Sequence, residues 1–279
     1  MIRRLLVFTD LDGSLLDHHD YSYAAAQPVL DRLARLEVPV MPVTSKTRAE
    51  VEQVREVLGN RHPFIAENGA AVFIPEGYLP QQPAGTEVWD GYWVAATCPP
   101  RSRWLDCLAT LATEFTGEFD NFAEAGPEGI AAMTGLTLEQ ARLANTREFS
   151  EPVRWLGSPE RKAEFVAALR EAGANPLQGG RFLAVAGDCD KGRALAWLRS
   201  TFAAAWGTME IADLAAGDSG NDVAMLEAAQ TALVIRSPVH DFPEVNRTGG
   251  VIYSTATGPA GWAEGVTRWL DQVAPDEHI

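Results

Sequence analysis

Two carboxylates stand two residues apart near the start of the chain, directly after an apolar run. The apolar residues 5–8 come first, Asp10 and Asp12 then flank Leu11, and Gly13 follows them. Carboxylates at the end of a buried strand are costly unless a cation or a reaction uses them. Gly13 lets the chain turn out of the strand at once, which leaves both side chains in the crevice where open α/β sheets bind ligands. This pair is the first candidate for chemistry.

A second acidic cluster, Asp218 to Asp222, follows another apolar segment late in the chain. In isolation, Asp218 could cap a helix and Asp222 could complement the helix dipole. Considered together with Asp10 and Asp12, the cluster favours a metal site instead. Carboxylate oxygens without nearby histidine or cysteine are the ligands that Mg²⁺ prefers. We therefore predict Mg²⁺ as the cofactor of these four residues.

Hydroxyl and ammonium groups that suit an anionic ligand lie in two further segments. Thr44, Ser45 and Lys46 follow the apolar segment 38–43, at a predicted helix N-terminus whose free N–H groups attract anions. Thr44 or Ser45 could instead be simple helix caps. Lys191 stands just before another predicted helix, where a solvated surface lysine is the alternative.

The composition limits the partners and the compartment. The 279 residues carry a formal net charge of −15, which argues against nucleic acid or an anionic membrane surface as a partner. Three cysteines without a C-x-x-C pair predict reduced thiols, and the five histidines show no zinc-binding spacing. No apolar stretch approaches the roughly 20 residues of a membrane span. We therefore expect a cytoplasmic monomer or homodimer that binds a small anionic molecule through local cations.

Strand and helix signals alternate in the first and last parts of the chain, which predicts an α/β domain with a parallel sheet. In the first part we predict strands at 4–9, 38–43, 64–66 and 70–74, with helices at 24–36 and 48–58. In the last part we predict strands at 211–216 and 232–235, with helices at 192–202, 222–229 and 261–273. Asn68-Gly69 is the predicted turn before the strand at 70–74.

The middle of the chain has a different pattern. Proline and glycine residues between 75 and 85 predict a linker. Beyond the linker we predict strands at 92–97, 153–156 and 181–186, with helices at 101–116, from Thr137 onward, and at 158–173. Strands and helices without strict alternation indicate a compact α+β insert. The predicted domains are therefore a discontinuous core, 1–84 and 188–279, and an insert, 85–187.

Four motifs together resemble those of the haloacid dehalogenase-like (HAD) phosphohydrolases. They are the segments 10–14 and 217–222, together with Thr44 and Lys191. The resemblance implies an α/β Rossmannoid parallel-sheet core with an inserted α+β cap domain of type C2B. It implies that Asp10 attacks phosphorus to form an aspartyl-phosphate and that Asp12 is the general acid and base. Thr44 and Lys191 contact the transferring phosphoryl group in this scheme.

The resemblance also implies how the metal is held. Asp10, the backbone carbonyl of Asp12, and Asp218 bind Mg²⁺. Asn221 and Asp222 support the site, and Asp222 belongs to the predicted metal cluster as well.

The position of the insert and several segments resemble a narrower group. An insert between the second and third motifs is typical of the type-IIB caps of the Cof-like branch. The segments that are similar to mannosyl-3-phosphoglycerate phosphatases are 42–47, 66–69, 147–149, 178–182 and 258–262. Broader Cof-like relatives usually have Gly-Arg where this chain has Ser45-Lys46. The resemblance implies hydrolysis of mannosyl-3-phosphoglycerate to mannosylglycerate, a compatible solute.

Five residues are predicted to contact this substrate: Ser45, Lys46, Glu67, Asn68 and Arg181. Arg181 is assigned to the glycerate carboxylate because a guanidinium binds carboxylates through two hydrogen bonds, and an ion pair on the surface is the alternative. Glu67 and Asn68 could instead form only a hairpin turn. Leu183-Ala184 stand where the group commonly has an aromatic or His-containing stretch, so the identity of the sugar stays open.

Other functions are open at this point. The chain could hydrolyse glucosyl-3-phosphoglycerate or another sugar phosphate, or it could be a sugar phosphomutase on the same scaffold. A non-catalytic protein that binds a phosphate ligand is a more remote alternative, because a binding protein has no need for the complete set of motif residues.

Overall fold

The computed structural model describes residues 4–179 and 181–275, which form thirteen strands, nine helices and two short 3-10 turns. The first part contains β1 (Arg4–Thr9), α1 (Gln27–Arg35), β2 (Val40–Pro42), α2 (Arg48–Leu58), β3 (Phe64–Ala66), β4 (Ala71–Pro75), β5 (Glu87–Trp89) and β6 (Tyr92–Ala96). The middle contains α3 (Arg101–Leu111), β7 (Phe119–Asn121), α4 (Phe122–Thr134), α5 (Leu138–Asn145), β8 (Glu151–Trp155), α6 (Pro159–Glu171), β9 (Leu177–Gln178) and β10 (Leu183–Val185). The last part contains α7 (Lys191–Trp206), β11 (Ile211–Gly217), α8 (Val223–Ala228), β12 (Thr231–Arg236), β13 (Val251–Thr257) and α9 (Gly258–Val273).

A parallel sheet of five strands carries both acidic motifs. Its order is β13-β12-β11-β1-β2, so the first strand of the chain lies between β11 and β2. Side chains of β1 alternate between the two faces: Leu6 and Phe8 pack toward α7, whereas Val7 packs toward α1 and α9. Helices on both faces of a parallel sheet confirm the predicted α/β class.

A second group of strands extends this sheet beyond β2. The strands pair antiparallel in the order β3-β4-β6-β5, and a parallel bridge between Val43 and Ile65 connects them with the end of β2. The predicted insert, 85–187, thus begins with β5 and β6, which belong to the same sheet as β3 and β4 of the predicted core. The division into 1–84, 85–187 and 188–279 stays a prediction, and this pairing favours a start of the insert after Ala96.

The middle of the chain forms another four-stranded antiparallel sheet, with the order β7-β8-β10-β9. Helices α3 and α6 pack against it around Trp104, Leu108, Phe165 and Leu169. Helices α4 and α5 pack on each other through Ile130 and Ala141. Strands and helices are therefore mixed in this part of the chain, as predicted for an α+β insert.

Two helix starts agree with their capping signals. At α2, the Thr47 hydroxyl accepts a hydrogen bond from the N–H of Glu50, whose carboxylate accepts one from the N–H of Thr47. At α5, Thr137 and Gln140 form the same reciprocal pair, at the helix start that was predicted. Each pair satisfies two N–H groups that the first helical turn cannot.

The pattern analysis missed one helix, α4, and four strands, β5, β7, β9 and β13. Helix α4 contains Gly126, with φ +63°, and Pro127, which together interrupt its apolar periodicity. The missed strands are short or, in β13, contain adjacent polar residues, Ser254 and Thr255, that interrupt the apolar pattern. Gly180, in the segment 178–182, lies outside the described residues. Within the described parts of the chain, every helix is too short or too polar to cross a membrane.

Candidate active site

Parallel strands that end side by side bring the two acidic motifs together. Thr9, the last residue of β1, pairs with β11 at Ala216 and with β2 at Pro42. Asp10 and Asp218 therefore follow neighbouring strands at one edge of the sheet. This edge is where open parallel sheets bind their ligands.

Lys191 lies fully buried between two carboxylates. Its Nζ is 2.7 Å from Oδ1 of Asp10 and 2.6 Å from Oδ1 of Asp222. Burial lowers the pKa of the Lys191 ammonium, but the charges of Asp10 and Asp222 outweigh burial and raise the pKa above its ordinary value. The alternative of a solvated surface lysine is wrong, because this ammonium has exchanged water for two carboxylates.

Three carboxylates around one ammonium leave an excess of negative charge. Oxygens of Asp10, Asp218 and Asp222 lie within 4.8 Å of one another, and all three residues are buried. Burial raises the pKa of Asp10 well above its ordinary range; the charge of Lys191 opposes this rise, and those of Asp222 and Asp218 add to it. Burial and then the charge of Asp222 raise the pKa of Asp218 to about 6. A divalent cation would relieve this repulsion.

The donor set fits Mg²⁺ because it consists of carboxylate oxygens. The neighbouring Asp12 also has a buried oxygen, Oδ1, without a hydrogen-bond partner in the described structure. In Asp222, by contrast, Oδ2 accepts hydrogen bonds from the N–H groups of Asp218 (3.1 Å) and Ser219 (3.0 Å). Because Lys191 holds the other oxygen, these contacts favour the supporting role for Asp222 over direct ligation.

Two glycines permit the close approach of the motifs. Gly13 has φ +78°, and a Cβ at this position would lie 2.8 Å from Oδ2 of Asp218. A Cβ at Gly217 would lie 2.5 Å from the Cβ of Asp222. A side chain at either position would therefore displace a carboxylate of the cluster.

Asp12 pairs with Lys46 instead of with the buried ammonium. Oδ2 of Asp12 is 2.7 Å from Nζ of Lys46, and the Asp12 side chain is 39% exposed. Burial lowers the pKa of Lys46, but the charges of Asp12 and Glu50 outweigh burial and raise it. A predicted acid/base and a predicted substrate contact are thus each other's partners in this structure.

The segment after β2 lies against the same edge. Thr44 is buried, and its hydroxyl accepts a hydrogen bond from the N–H of Lys46. The alternative that Thr44 or Ser45 caps the helix is wrong, because Thr47 is the N-cap of α2. Ser45 is exposed, and its carbonyl accepts a hydrogen bond of 2.7 Å from Arg147.

Comparisons with known proteins agree with this arrangement. Residues 7–84 match the family model described as haloacid dehalogenase-like hydrolase, and residues 177–269 match that of sucrose-6F-phosphate phosphohydrolase. The chain is 33% identical over 274 residues to a glucosyl-3-phosphoglycerate/mannosyl-3-phosphoglycerate phosphatase of Methanococcoides burtonii, with 98% of this chain and 99% of that protein covered. The chain belongs to the haloacid dehalogenase-like hydrolases.

A second relative supports this assignment, and a solved structure shares the fold. A protein of the same name from Persephonella marina is 32% identical over 283 residues, with 96% of this chain and 98% of that protein covered. The fold resembles that of a solved haloacid dehalogenase-like hydrolase of B. subtilis, with a TM-score of 0.62 at 17% identity over 95% of this chain and 98% of that one. The predicted HAD-like fold and family are confirmed, and the chain is a phosphoric monoester hydrolase.

In this hydrolase, two asparagines connect the segment 217–222 with the turn after β3. Nδ2 of Asn221 donates a hydrogen bond of 3.1 Å to Oδ1 of Asn68. Asn68 has φ +59°, a left-handed conformation that asparagine tolerates better than most residues. Both predicted residues are therefore at the site, and their contact fixes the two loops to each other.

Glu67 is turned away from the acidic cluster toward the middle of the chain. Its buried carboxylate accepts hydrogen bonds of 2.8 Å from the N–H groups of Glu148 and Ser150 and one from the Ser150 hydroxyl. Arg147 lies 3.6 Å from the same carboxylate. These contacts favour a positioning role for Glu67 over the predicted contact with substrate.

Arg181 is engaged with helix α4. Its two terminal nitrogens donate hydrogen bonds to the carbonyls of Met133 (2.9 Å) and Thr134 (3.1 Å), which are among the unpaired carbonyls at the helix end. The predicted alternative, a surface ion pair, differs from this arrangement because the acceptors are carbonyls. The predicted contact with a glycerate carboxylate stays a prediction, and the observed contacts favour helix capping.

Two residues near the site were missed. Nε2 of His240 is 3.6 Å from Oδ2 of Asp218, and Nε1 of Trp262 donates a hydrogen bond of 3.0 Å to the hydroxyl of Thr9. The Thr9 hydroxyl in turn donates to the carbonyl of Asp10. Trp262 belongs to the segment 258–262 that carried the family resemblance, whereas His240 lies in an irregular loop without a spacing signal.

A cavity of about 370 Å³ adjoins Lys46 between α2, α5 and residues 20–23. Its walls combine leucine, valine and tyrosine side chains with the polar or charged side chains of Asp20, Lys46, Glu50, Gln53 and Gln140. Tyr21 is 42% exposed, and Nζ of Lys46 lies 5.3 Å from its ring centre. Acidic and amide groups beside an aromatic ring suit a neutral polyhydroxy group better than an anion.

Proposed function

We propose that this hydrolase is a Mg²⁺-dependent phosphatase of mannosyl-3-phosphoglycerate that acts through an aspartyl-phosphate. The observation that carries the proposal is the buried Lys191, which holds Asp10 and Asp222 beside Asp218. The names of the two curated relatives support a glycosyl-3-phosphoglycerate as substrate but do not separate mannosyl from glucosyl. We also propose a cytoplasmic location and a monomeric or homodimeric state.

Asp10, Asp218 and the backbone carbonyl of Asp12 would hold the metal, with Asn221 and Asp222 in support. When bound, Mg²⁺ supplies positive charge that lets an anionic substrate approach anionic Asp10. Without it, the excess of carboxylates described above would repel a phosphate.

Asp10 is the nucleophile in the proposed reaction. Lys191 holds Oδ1, so the other carboxylate oxygen attacks phosphorus. A bond forms between this oxygen and phosphorus, and the bond between phosphorus and the glycerate oxygen breaks. The Lys191 ammonium and the Thr44 hydroxyl stabilise the charge on the phosphoryl oxygens.

Asp12 moves the protons of both steps. It donates a proton to the leaving glycerate oxygen and later accepts one from the water that attacks the aspartyl-phosphate. In this structure Oδ2 of Asp12 lies 2.7 Å from Nζ of Lys46. A substrate anion that draws Lys46 away would therefore free this carboxyl group to reach the leaving oxygen.

The substrate parts divide between two environments. The phosphate lies at the acidic cluster and its cation, and the glycerate carboxylate is near Lys46. The glycosyl group occupies the cavity beside Tyr21. The acidic side chains in the wall of this cavity would repel the glycerate carboxylate but accept hydrogen bonds from sugar hydroxyls. Ser45 and Asn68 are proposed to border the bound substrate between these regions.

A panel of phosphate esters tests this proposal. We expect phosphate release from mannosyl-3-phosphoglycerate to exceed release from 3-phosphoglycerate and mannose 6-phosphate, to stop after thorough treatment with EDTA, and to return with Mg²⁺. Better hydrolysis of glucosyl-3-phosphoglycerate or of a simple sugar phosphate would contradict the substrate. Formation of a sugar bisphosphate instead of free phosphate would indicate a phosphomutase, and activity that survives EDTA would contradict the metal.

A further inference from the structure

Two cysteines lie where the chain leaves and re-enters the core. Cys98 follows β6 in the outgoing connection, residues 97–100, and Cys189 lies in the return connection, residues 186–190, which ends at Lys191. Cys98 is only 7% exposed and belongs to a buried cluster with Phe73 and Ala186, against which Cys189 also packs. The two cysteines therefore pack in one cluster, although 90 residues separate them in the sequence.

Close backbone packing holds both connections against the turn at Gly69. The Thr97 hydroxyl donates a hydrogen bond of 2.8 Å to the carbonyl of Gly69. A Cβ at Gly69 would lie 2.2 Å from the carbonyl oxygen of Asp190. A Cβ at Gly187 would lie 3.2 Å from Sγ of Cys98. Little can move here without a change at the start of α7.

The two thiols differ in their tendency to ionise. A hydrogen bond from the Cys189 thiol lowers the pKa of Cys98 in spite of burial, and the backbone of Gly187 and the charge of Arg193 lower it further. The same contact raises the pKa of Cys189. Two thiols in contact allow one to react with an oxidant and the other to resolve the product.

We propose that Cys98 and Cys189 form a reversible disulfide that inhibits this hydrolase when a hydroperoxide is present. The Cys98 thiolate attacks a peroxide oxygen, which yields a sulfenic acid and, from hydrogen peroxide, hydroxide. The Cys189 sulfur then attacks the Cys98 sulfur, and water leaves with the Cys189 proton. Two thiols are oxidised by two electrons, and the peroxide is reduced. Such transient disulfides are the kind that an otherwise reducing compartment permits.

The inhibition follows from the position of Lys191. A disulfide brings the sulfurs to about 2.05 Å, so the return connection must shift toward Cys98. Asp190 accepts a hydrogen bond of 2.8 Å from the N–H of Arg193 as the N-cap of α7, and Lys191 is the next residue. A shift of about 1 Å in a catalytic group can cost about 100-fold in rate. The rate effect rests on the proposed function, whereas disulfide formation does not.

The test treats the full-length protein with hydrogen peroxide, blocks the remaining thiols and maps disulfides by mass spectrometry of tryptic peptides. We expect a Cys98–Cys189 link, a loss of 2 Da, and a fall in phosphate release of at least about 10-fold that dithiothreitol reverses. Cys98→Ser and Cys189→Ser should resist this inhibition. Cys107→Ser, which removes the third thiol, should remain sensitive.

Two results would overturn the proposal. One is the absence of disulfide-linked Cys98 and Cys189 peptides although peroxide has oxidised either thiol. This result is measured in the wild-type protein and needs no variant. The other is a disulfide-linked protein with an unchanged rate. If the reduced protein hydrolyses none of the phosphate esters, the proposed function fails while the disulfide map still decides whether the thiol pair exists.

Discussion

The acidic centre, formed by Asp10, Asp218, Asp222 and Lys191, differs from the surroundings of Arg181 in how its charges are compensated. In the centre, Lys191 is shared by Asp10 and Asp222, and Asp218 adds a further buried carboxylate. The negative charge there exceeds what the chain itself neutralises. Arg181, in contrast, is exposed, so solvent compensates its charge, and it donates to carbonyls at a helix end.

This difference separates function from structural support. A buried charge that the fold leaves uncompensated costs stability, so its presence indicates a ligand that supplies the missing charge. A charged side chain that is solvated, or whose polar atoms are bound by other groups of the chain, gives no such indication of a ligand. By this criterion Glu67 belongs with Arg181, because its carboxylate binds the N–H groups of residues 148–150.

The largest expected effect is that of Asp10→Asn, which removes the proposed nucleophile. We expect phosphate release to fall by at least about 1,000-fold, because an amide cannot form the acyl phosphate. The fold should persist, since one of three crowded carboxylates becomes neutral. Circular dichroism monitors folding, and Asp31→Asn, at an exposed carboxylate, is the control. Substantial turnover by the variant would refute covalent catalysis at Asp10.

A loss of stability should follow from Lys191→Met. The change leaves Asp10 and Asp222 buried without their ammonium, and we expect the free energy of unfolding to fall by about 3–5 kcal/mol. Lys46→Met is the matched control, with a loss of at most about 1 kcal/mol, because its partner Asp12 is partly exposed. Urea unfolding measures both. Equal losses would show that burial does not distinguish the two ion pairs.

Local sequence signals predicted the acidic centre well because its residues follow strands that the apolar pattern identifies. Asp10 follows β1 and Asp218 follows β11, and parallel pairing then brings them together. The same signals could not reveal the partners of Glu67, which are about 80 residues away along the chain. They also missed α4, since Gly126 and Pro127 interrupt its periodicity. The role of a residue such as Glu67, whose hydrogen-bond partners are distant along the chain, could only be seen in the structure.

His62 is a half-buried titratable group near the positive charge of Arg55, so it should behave unlike Lys191. Burial, followed by the charge of Arg55, lowers the pKa of His62 to about 4. The unfolded chain thus binds a proton that the folded chain does not between pH 6.5 and 4, and stability is lost as the pH falls through this range. From pH 7 to 5 we expect wild type to lose about 2 kcal/mol more than His62→Gln. Parallel pH profiles of urea unfolding would contradict this expectation.

The smallest effect is expected at Arg181, where the two explanations of this residue separate. If Arg181 only caps α4, Arg181→Ala should cost at most about 1 kcal/mol of stability and should leave the preference for mannosyl-3-phosphoglycerate over mannose 6-phosphate unchanged. A bound glycerate carboxylate would instead make the change cost about 2–4 kcal/mol in kcat/KM for the glycerate substrate alone. Lys46→Ala, which removes the ammonium beside Asp12, is the comparison variant, and we expect it to weaken that preference. If Arg181→Ala loses this preference and Lys46→Ala keeps it, the glycerate carboxylate binds Arg181 and not Lys46.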